Sequence, residues 1–547
     1  MRIIIIGAVA AGTSAAAKAR RNDERAEIII YDKDSFISYS GCGMPYYIGG
    51  EVEEADMLTP RDSTFFKSKY NVDVRIQHEV LKVNAQTKTV EVRNLMDGQV
   101  FTDHFDKLIL ATGASAIIPP MEGVNNSNVF TLRNIGDMNR IKAYIDSTNP
   151  KNAVIIGSGF IGLEVCENLK GLEIDVTLVE RLPQVTPGLD PDIAVYVEEH
   201  LKKNGVKVYT ELSAVKIDED KVFLDNGESI PADLVLLAVG VRPNIKLAVD
   251  MGVELGESGA IKVDNQMKTN LADIYACGDC IEQYHVVTGK PVYRPMGSTA
   301  NKTGRIAGDV ITGGTLSFRG VLGTGIFQVF GLTVALTGLS ERDALKEGFE
   351  LEVCHNIKPN KPEYMGGKEM VIKGIADRRT GILLGVQIVG QEGVDKRIDV
   401  FITAITYQAK VEDLFHLDLA YAPPFSTTKD PVMYTGMILD NAINQGRKLI
   451  TTDQLTELIE NKEKIQIVDA RVASQYEKDH VETAVNLPHS KLRAQLDQLD
   501  PEVMTVTYCN KGVTGNAAQN ILLNNGFMKV YNLSGGHKNY SKTKKSM

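Results

Sequence analysis

Two isolated cysteines and two glycine-rich turns carry the chemical signal of this chain. Cys42 lies in the run Ser38-Tyr39-Ser40-Gly41-Cys42-Gly43-Met44-Pro45-Tyr46-Tyr47, shortly after Asp32. Asp32 stands 20 residues beyond Gly12, the last glycine of Gly7-Ala8-Val9-Ala10-Ala11-Gly12, and that turn follows the apolar strand Ile3–Ile6. A glycine turn between strand and helix aims free N–H groups at a pyrophosphate, and a carboxylate ending the next strand accepts hydrogen bonds from a ribose. Val9 occupies the place of the middle glycine. The second fingerprint, Gly157-Ser158-Gly159-Phe160-Ile161-Gly162, is complete and follows Ala153–Ile156, with Glu180 18 residues after Gly162. Glu180 is expected to bind the adenosine 2′-OH and repel a 2′-phosphate, which favours NADH, while the adjacent Arg181 softens that preference. Cys509 lies in a glycine-containing loop near the C-terminus. Two dinucleotide sites with two lone thiols imply sulfur redox chemistry driven by a nicotinamide through a flavin.

The bulk properties bound the partners. A net charge of −10 argues against nucleic acid, whose phosphates want a basic field. No apolar stretch reaches the ~18–20 residues of a membrane span. The run Met1–Gly7 goes straight into a glycine turn and reads as a buried first strand, not as a signal segment, so a cytoplasmic location is expected. Six cysteines in 547 residues make no disulfide framework. Cys277-Gly278-Asp279-Cys280 has CxxC spacing, but no second pair accompanies it, and no metal site is expected. Cys166 falls in a helical pattern and reads as a small buried side chain.

These residues need a frame that presents them. Strand, glycine turn and helix repeat at both fingerprints, and each reads as a βαβ unit. The expected class is α/β. Two Rossmann-like domains occupy 1–150 with 240–320, for FAD, and 151–239, for NAD(P)H. An α+β domain spans 321–440. A separate α/β domain covers 450–547, reached through an expected linker at Asn441–Ile450.

The two fingerprints, with Ala111-Thr112-Gly113, Leu132-Arg133-Asn134 and Ala276-Cys277-Gly278-Asp279, make residues 1 to about 440 resemble the FAD-dependent pyridine-nucleotide disulfide oxidoreductases. The resemblance implies a cofactor set of Gly7, Ala11, Gly12, Asp32, Lys33, Ala111, Thr112, Gly113, Arg133, Gly240, Gly278, Asp279 and Ala300, with Gly157, Gly159, Phe160, Ile161, Gly162, Glu180 and Arg181 at the second nucleotide. Asp279 would hold the FAD ribityl chain, and Cys277 and Cys280 become neighbours of that turn. The position five after Cys42 is Tyr47, so the chain is similar to the single-cysteine branch, the coenzyme A-disulfide reductases and NAD(P)H-dependent persulfide reductases. Gly393–Asp399, Ala420–Ser426, Lys429 and Asp430 match the same branch. The resemblance implies a homodimer in which Tyr421 reaches the other subunit's active site; a packed interface aromatic is the alternative. It further implies coenzyme A contacts at Ser14, Lys18, Arg21, Ser38, Asn301 and Lys429. Lys18 and Arg21 share a helix face and are expected to meet phosphates or solvent. Lys67 and Lys69 are further candidates. Lys361-Pro362-Glu363-Tyr364-Met365 departs from the branch and looks like the NADH oxidases and peroxidases, with Tyr364 a catalytic candidate.

Residues 450–547 resemble a rhodanese domain through Val468-Asp469-Ala470-Arg471, His480–Pro488, Tyr508–Asn516 and Leu533-Ser534-Gly535-Gly536. Loop N–H groups of that family stabilise a thiolate or persulfide. Thr514 replaces the usual arginine, and Lys511 is expected to add one positive charge inside the loop; a persulfide carrier is expected, with a non-catalytic rhodanese-like module as the alternative. The resemblance implies that NAD(P)H reduces a persulfide, polysulfide or coenzyme A disulfide through FAD and Cys42, whose thiol pKa is expected to be lowered, while Cys509 handles sulfane sulfur in sulfur metabolism. Two alternatives stand beside it: an NADH oxidase or peroxidase cycling Cys42 through a sulfenic acid, and a sulfur-carrier or redox-sensing protein.

Overall fold

The computed structural model describes residues 1–544. The described residues form two compact units, one of Met1–Pro183 with Gly205–Val321, the other of Gln184–Asn204 with the described residues from Leu322 on.

The first unit holds two parallel five-stranded sheets. One runs in the order Ile274–Ala276, Lys107–Leu110, Arg2–Ile6, Glu27–Tyr31, Asp73–Arg75. Its central strand buries Ile3, Ile4, Ile5 and Ile6, as a strand covered on both faces must. The following helix, Ala10–Asn22, packs on Gly297–Ile311. A Cβ on Gly304 or Gly308 would fall 2.2 Å from the carbonyl oxygen of Ala11 or Ala15, so small residues set the distance between these helices.

The second sheet has the order Lys207–Tyr209, Asp175–Val179, Asn152–Ile156, Leu234–Leu237, Val129–Phe130. It takes in a strand from before residue 151, where the sequence reading starts the second nucleotide domain. A two-residue strand has no periodicity to read. The helix Pro191–Lys203, inside that expected domain, belongs to the other unit. Buried ion pairs hold it there: Asp192 and Asp190 meet the Lys373 ammonium at 2.9 and 3.2 Å.

The second unit contains an antiparallel sheet ordered Gly325–Val329, Leu332–Gly338, Leu383–Gly390, Glu369–Asp377, Leu351–Pro359, with the helices Val394–Thr406 and Pro431–Asn444 packed on it. A parallel sheet follows in the order Leu449–Ile450, Val530–Leu533, Met504–Tyr508, Ile465–Asp469, Val485–Asn486. The expected linker at Asn441–Ile450 is mostly structured. Pro431–Asn444 runs into it from an Asp430 cap, and Leu449–Ile450 joins the parallel sheet. Between them Arg447 bonds Asn520 and the Gln445 carbonyl. Thr451 and Gln454 then form a capping box that starts Thr452–Glu460. Among the described residues no helix is long and apolar enough to cross a membrane.

Candidate active site

The first fingerprint closes onto a second turn. Gly7 has φ +108°, and a Cβ there would lie 2.2 Å from the carbonyl oxygen of Ala111, so only glycine lets the two turns meet. Gly12 rests on the Gly7 carbonyl, and Ala11 is buried. Asp32 accepts from the N–H of Ala8 at 2.6 Å and of Asp34 at 2.8 Å. Burial pushes its pKa up, and those two amides oppose the rise. Lys33 beside it is exposed. Thr112 is held by a reciprocal pair with Asn244: its hydroxyl donates to the Asn244 carbonyl at 2.7 Å, and its own carbonyl accepts from the Asn244 side chain at 2.8 Å.

Gly278, at φ +83°, sits against Ala11 and Ala300 and delivers Asp279 to the same cradle. Asp279 Oδ2 accepts from Arg133 Nη2 at 2.9 Å, while its buried Oδ1 has no protein partner. A buried carboxylate oxygen without a donor is costly unless a ligand bonds it. The ribose side at Asp32, the glycine-lined turn and the unpaired Asp279 oxygen together fit FAD, whose ribityl hydroxyls are donors.

The second fingerprint repeats the geometry. A Cβ on Gly157 would meet the Ala238 carbonyl at 2.5 Å, and one on Gly162 the Gly157 carbonyl at 2.4 Å, whereas Gly159 faces open space. Phe160 and Ile161 start the helix Phe160–Gly171. Glu180 is buried and accepts from Ser158 N at 2.9 Å, Ser158 Oγ at 2.6 Å and Leu182 N at 2.9 Å. Three of a carboxylate's roughly four acceptor directions are taken, which leaves one for a ribose hydroxyl. Arg181 is exposed, and Gly240, at φ +105°, precedes the strand Val241–Pro243.

Cys42 lies in the turn Gly41–Gly43 that leads into the helix Met44–Gly49. It is exposed, whereas Cys166, Cys277, Cys280, Cys354 and Cys509 are buried, and all six are free. Cys280 Sγ contacts the Cys277 carbonyl at 3.3 Å, so this pair is a packed turn. Met44–Gly49 packs on Phe160–Gly171 so closely that a Cβ on Gly49 would lie 2.0 Å from Asn168 Oδ1. Glu164, on the same helix as Asn168, lies near Cys42 and Tyr46. Crowding by protein pushes the Cys42 thiol up and Glu164 adds to the rise, while Arg133 opposes it. The same two causes push Tyr46 up to about 12. The Glu164 carboxyl is itself pushed up to about 7, by burial and then by Glu167. The thiol pKa is therefore raised by this chain's own atoms, not lowered as expected. Glu164 is far from Cys42 in sequence, and only helix packing brings the two together.

A cavity of about 560 Å³ opens beside the first fingerprint, lined by Ser14, Arg21, Ser38 and Asn301 among the expected residues. Ser14 Oγ donates to Asn301 Oδ1 at 2.6 Å. Arg61 and Arg305 line it too, and neither was foreseen. Arg305 stands four residues after Asn301, a helix-face spacing that would have revealed it. Lys18 does not share this position: its ammonium pairs with Asp309 at 3.0 Å, a partner nearly 300 residues away. Lys69 lies over the Phe65 and Tyr70 rings at 5.3 and 5.8 Å.

Cys509 directly follows the strand Met504–Tyr508, and its carbonyl accepts from His537 N at 2.8 Å. Arg471 forms a buried pair with Asp469 at 2.7 Å and reaches Asn510 Oδ1 at 3.5 Å. Tyr508 donates to the same Asp469 at 2.7 Å. The Lys511 ammonium pairs with Glu369, so its charge does not stay inside the loop as expected. Thr514 is exposed.

Residues 1–297 match the family described as pyridine nucleotide-disulphide oxidoreductase, 326–431 its dimerisation domain, and 451–543 the rhodanese-like domain. The chain belongs to the pyridine nucleotide-disulphide oxidoreductase family. It is 36% identical over 444 residues to an NAD(P)H coenzyme A polysulfide/persulfide reductase of Pyrococcus horikoshii, covering 80% of this chain and 98% of that one. Reduced CoADR-RHD of Bacillus anthracis superposes with a TM-score of 0.97 at 36% identity, covering 99% and 98% of the two chains. An NAD-dependent persulfide reductase from A. fulgidus superposes at 0.92, also 36% identical, covering 99% and 100%. This oxidoreductase is thus an NAD(P)H-dependent flavoprotein with a C-terminal rhodanese-like domain.

In its dimerisation domain, Arg397 organises the block of residues 420–430. The guanidinium is buried and donates to Asp430 at 2.8 Å, Ser426 Oγ at 3.2 Å and the Asn360 carbonyl at 2.9 Å. Those bonds fix the segment that carries Tyr421, which is 49% exposed and lines a cavity with Lys361, Lys396 and Phe425. Tyr364, at 76%, is more exposed still, and Lys429 is also exposed. Arg397 and Asp430 stand in the quoted motifs, but only their burial shows what they do.

Proposed function

We propose that this oxidoreductase uses NAD(P)H to reduce persulfides, polysulfides or coenzyme A disulfides through Cys42, with Cys509 carrying sulfane sulfur as a persulfide. The observation that carries the reading is that Cys42 is exposed while the other five cysteines are buried, on the unit that holds both nucleotide fingerprints. Asp32 and Asp279 would hold FAD, which when bound would supply the two electrons that the nicotinamide provides as a hydride. The Cys42 thiolate attacks the outer sulfur of RS–SH. A Cys42 S–S bond forms, the RS–S bond breaks, and RS⁻ leaves with the electron pair. Two electrons and two protons then cleave the new bond to Cys42–SH and H₂S. Glu164, titrating near neutrality beside the sulfur, holds one of those protons.

The cavity at Ser14, Arg21, Ser38 and Asn301, with Arg61 and Arg305, takes the anionic nucleotide part of coenzyme A. Lys18 is neutralised by Asp309 and stays outside this set. The dimerisation domain and its exposed Tyr364, Tyr421 and Phe425 support a homodimer, in which the Tyr421 phenol donates a hydrogen bond to a departing sulfur in the partner's site.

The test is anaerobic NADH oxidation with persulfide, coenzyme A disulfide and peroxide side by side, with oxygen in a separate aerobic arm. Cys42→Ser should lose acceptor reduction while keeping FAD and its reduction by NADH. Unchanged persulfide turnover in that variant would remove Cys42 from the reaction. Turnover confined to peroxide or oxygen would favour sulfenic-acid chemistry instead.

A further inference from the structure

Glu369 lies at the start of the strand Glu369–Asp377, in the dimerisation sheet. Its two carboxylate oxygens are claimed by two lysines of the rhodanese-like domain, Oε1 by Lys511 and Oε2 by Lys538. Lys511 belongs to the Cys509 loop. Lys538 lies on the helix Gly536–Thr543, and its own N–H bonds the Asn510 carbonyl at 3.0 Å. That helix is fastened to the rest of the unit along its length. Asn539 Oδ1 accepts from Tyr196 at 3.0 Å, and Lys542 pairs with Glu199. Just before it, Ser534 Oγ accepts from the His355 backbone N–H at 2.7 Å. The loop that holds Cys509 is thus built against the neighbouring domain and not free on a tether.

The charges around the loop cancel. Arg471 is balanced by Asp469 in a buried pair. His537 has its pKa lowered, by burial first and then by Arg471, and stands 3.4 Å from Asp479. Lys511 and Lys538 are opposed by Glu369, whose carboxyl they hold below the usual range despite its part burial. Lys511 and Lys538 against Glu369 and Asp479 leave no net positive charge among these groups.

We propose that Glu369 is a specificity-determining residue of the Cys509 site: by pairing Lys511 and Lys538 it withholds their charge and disfavours compact dianionic sulfur donors relative to alkyl persulfides. The proposal rests on Cys509 as a sulfur carrier. With thiosulfate, the Cys509 thiolate would attack the outer sulfur, forming Cys509–S–S⁻ and expelling the sulfite dianion with the electron pair of the broken S–S bond. With an alkyl persulfide the same bond forms and a thiolate leaves. Only the first reaction brings two negative charges to the loop.

The test uses the full-length protein and reads Cys509 by peptide-resolved mass spectrometry. Anionic iodoacetate and neutral iodoacetamide report local charge apart from accessibility. Glu369→Gln should raise the iodoacetate to iodoacetamide rate ratio about three- to tenfold at low salt, with the difference vanishing near ~1 M salt. Glu369→Asp should keep the wild-type ratio, and thiosulfate sulfurtransfer should gain on persulfide transfer in Glu369→Gln. An equal rise in both alkylation rates would mean mere loosening of the loop and would overturn the proposal, as would an unchanged ratio. A shifted ratio with no sulfane sulfur trapped on Cys509 would keep the electrostatic role and reject the carrier reading.

Discussion

Glu180→Ala is the sharpest test of the second nucleotide site. The carboxylate holds the turn after Asn152–Ile156 through Ser158 N, Ser158 Oγ and Leu182 N, and one acceptor direction remains for ligand. Truncation removes a charged hydrogen bond to the ribose, which costs about 1.5–3 kcal/mol, or roughly 10- to 150-fold in NADH affinity. It also loosens the turn, but that cost falls on NADH and NADPH alike. NADPH additionally gains from removal of a carboxylate beside its 2′-phosphate. The ratio of kcat/KM for NADH to that for NADPH therefore cancels the shared structural damage. It should fall by at least about tenfold, and Glu180→Gln should fall on the same side with less loss for both nucleotides. Rapid-mixing reduction of the bound flavin by each nucleotide measures it. A ratio unchanged in both variants, with both nucleotides weakened equally, would mean that Glu180 only builds the turn.

Glu164→Gln should lower the Cys42 thiol pKa, because the carboxylate charge that opposes the thiolate is gone. Glu164 titrates at about 7, so the gain in Cys42 alkylation should be small at pH 6 and largest above pH 8; a parallel profile in both proteins would refute the coupling. Lys373→Met should destabilise the protein by about 3–5 kcal/mol, since it leaves the buried Asp190 and the largely buried Asp192 without their shared cation and strips the part-exposed Glu341 of its partner, and a denaturant midpoint equal to wild type would contradict this. Cys509→Ser should remove persulfide sulfurtransfer and spare coenzyme A disulfide reduction, read as sulfide release against NADH oxidation; equal loss of both would mean the domains work only as one unit.

The sequence alone determined the local chemistry of this oxidoreductase. Gly12 and Gly162 are forced by the carbonyls of Gly7 and Gly157, five residues before them. Asp32 and Glu180 follow from the fixed length of a βαβ unit, and Cys509 from a strand that must end in a loop. Such features are written in spacing. Charge placement was decided by tertiary structure, because a salt bridge pairs residues without regard to their distance along the chain. Lys18 looked like a phosphate ligand until Asp309 claimed it, and Lys511 looked like the loop's cation until Glu369 did. The Cys42 thiol was expected to be acidic, but helix packing set the Glu164 carboxylate near it. Asp190 and Asp192 drew Pro191–Lys203 out of the domain its position suggested. Periodicity records which face of an element is buried, and it carries no record of which distant charge will be waiting there.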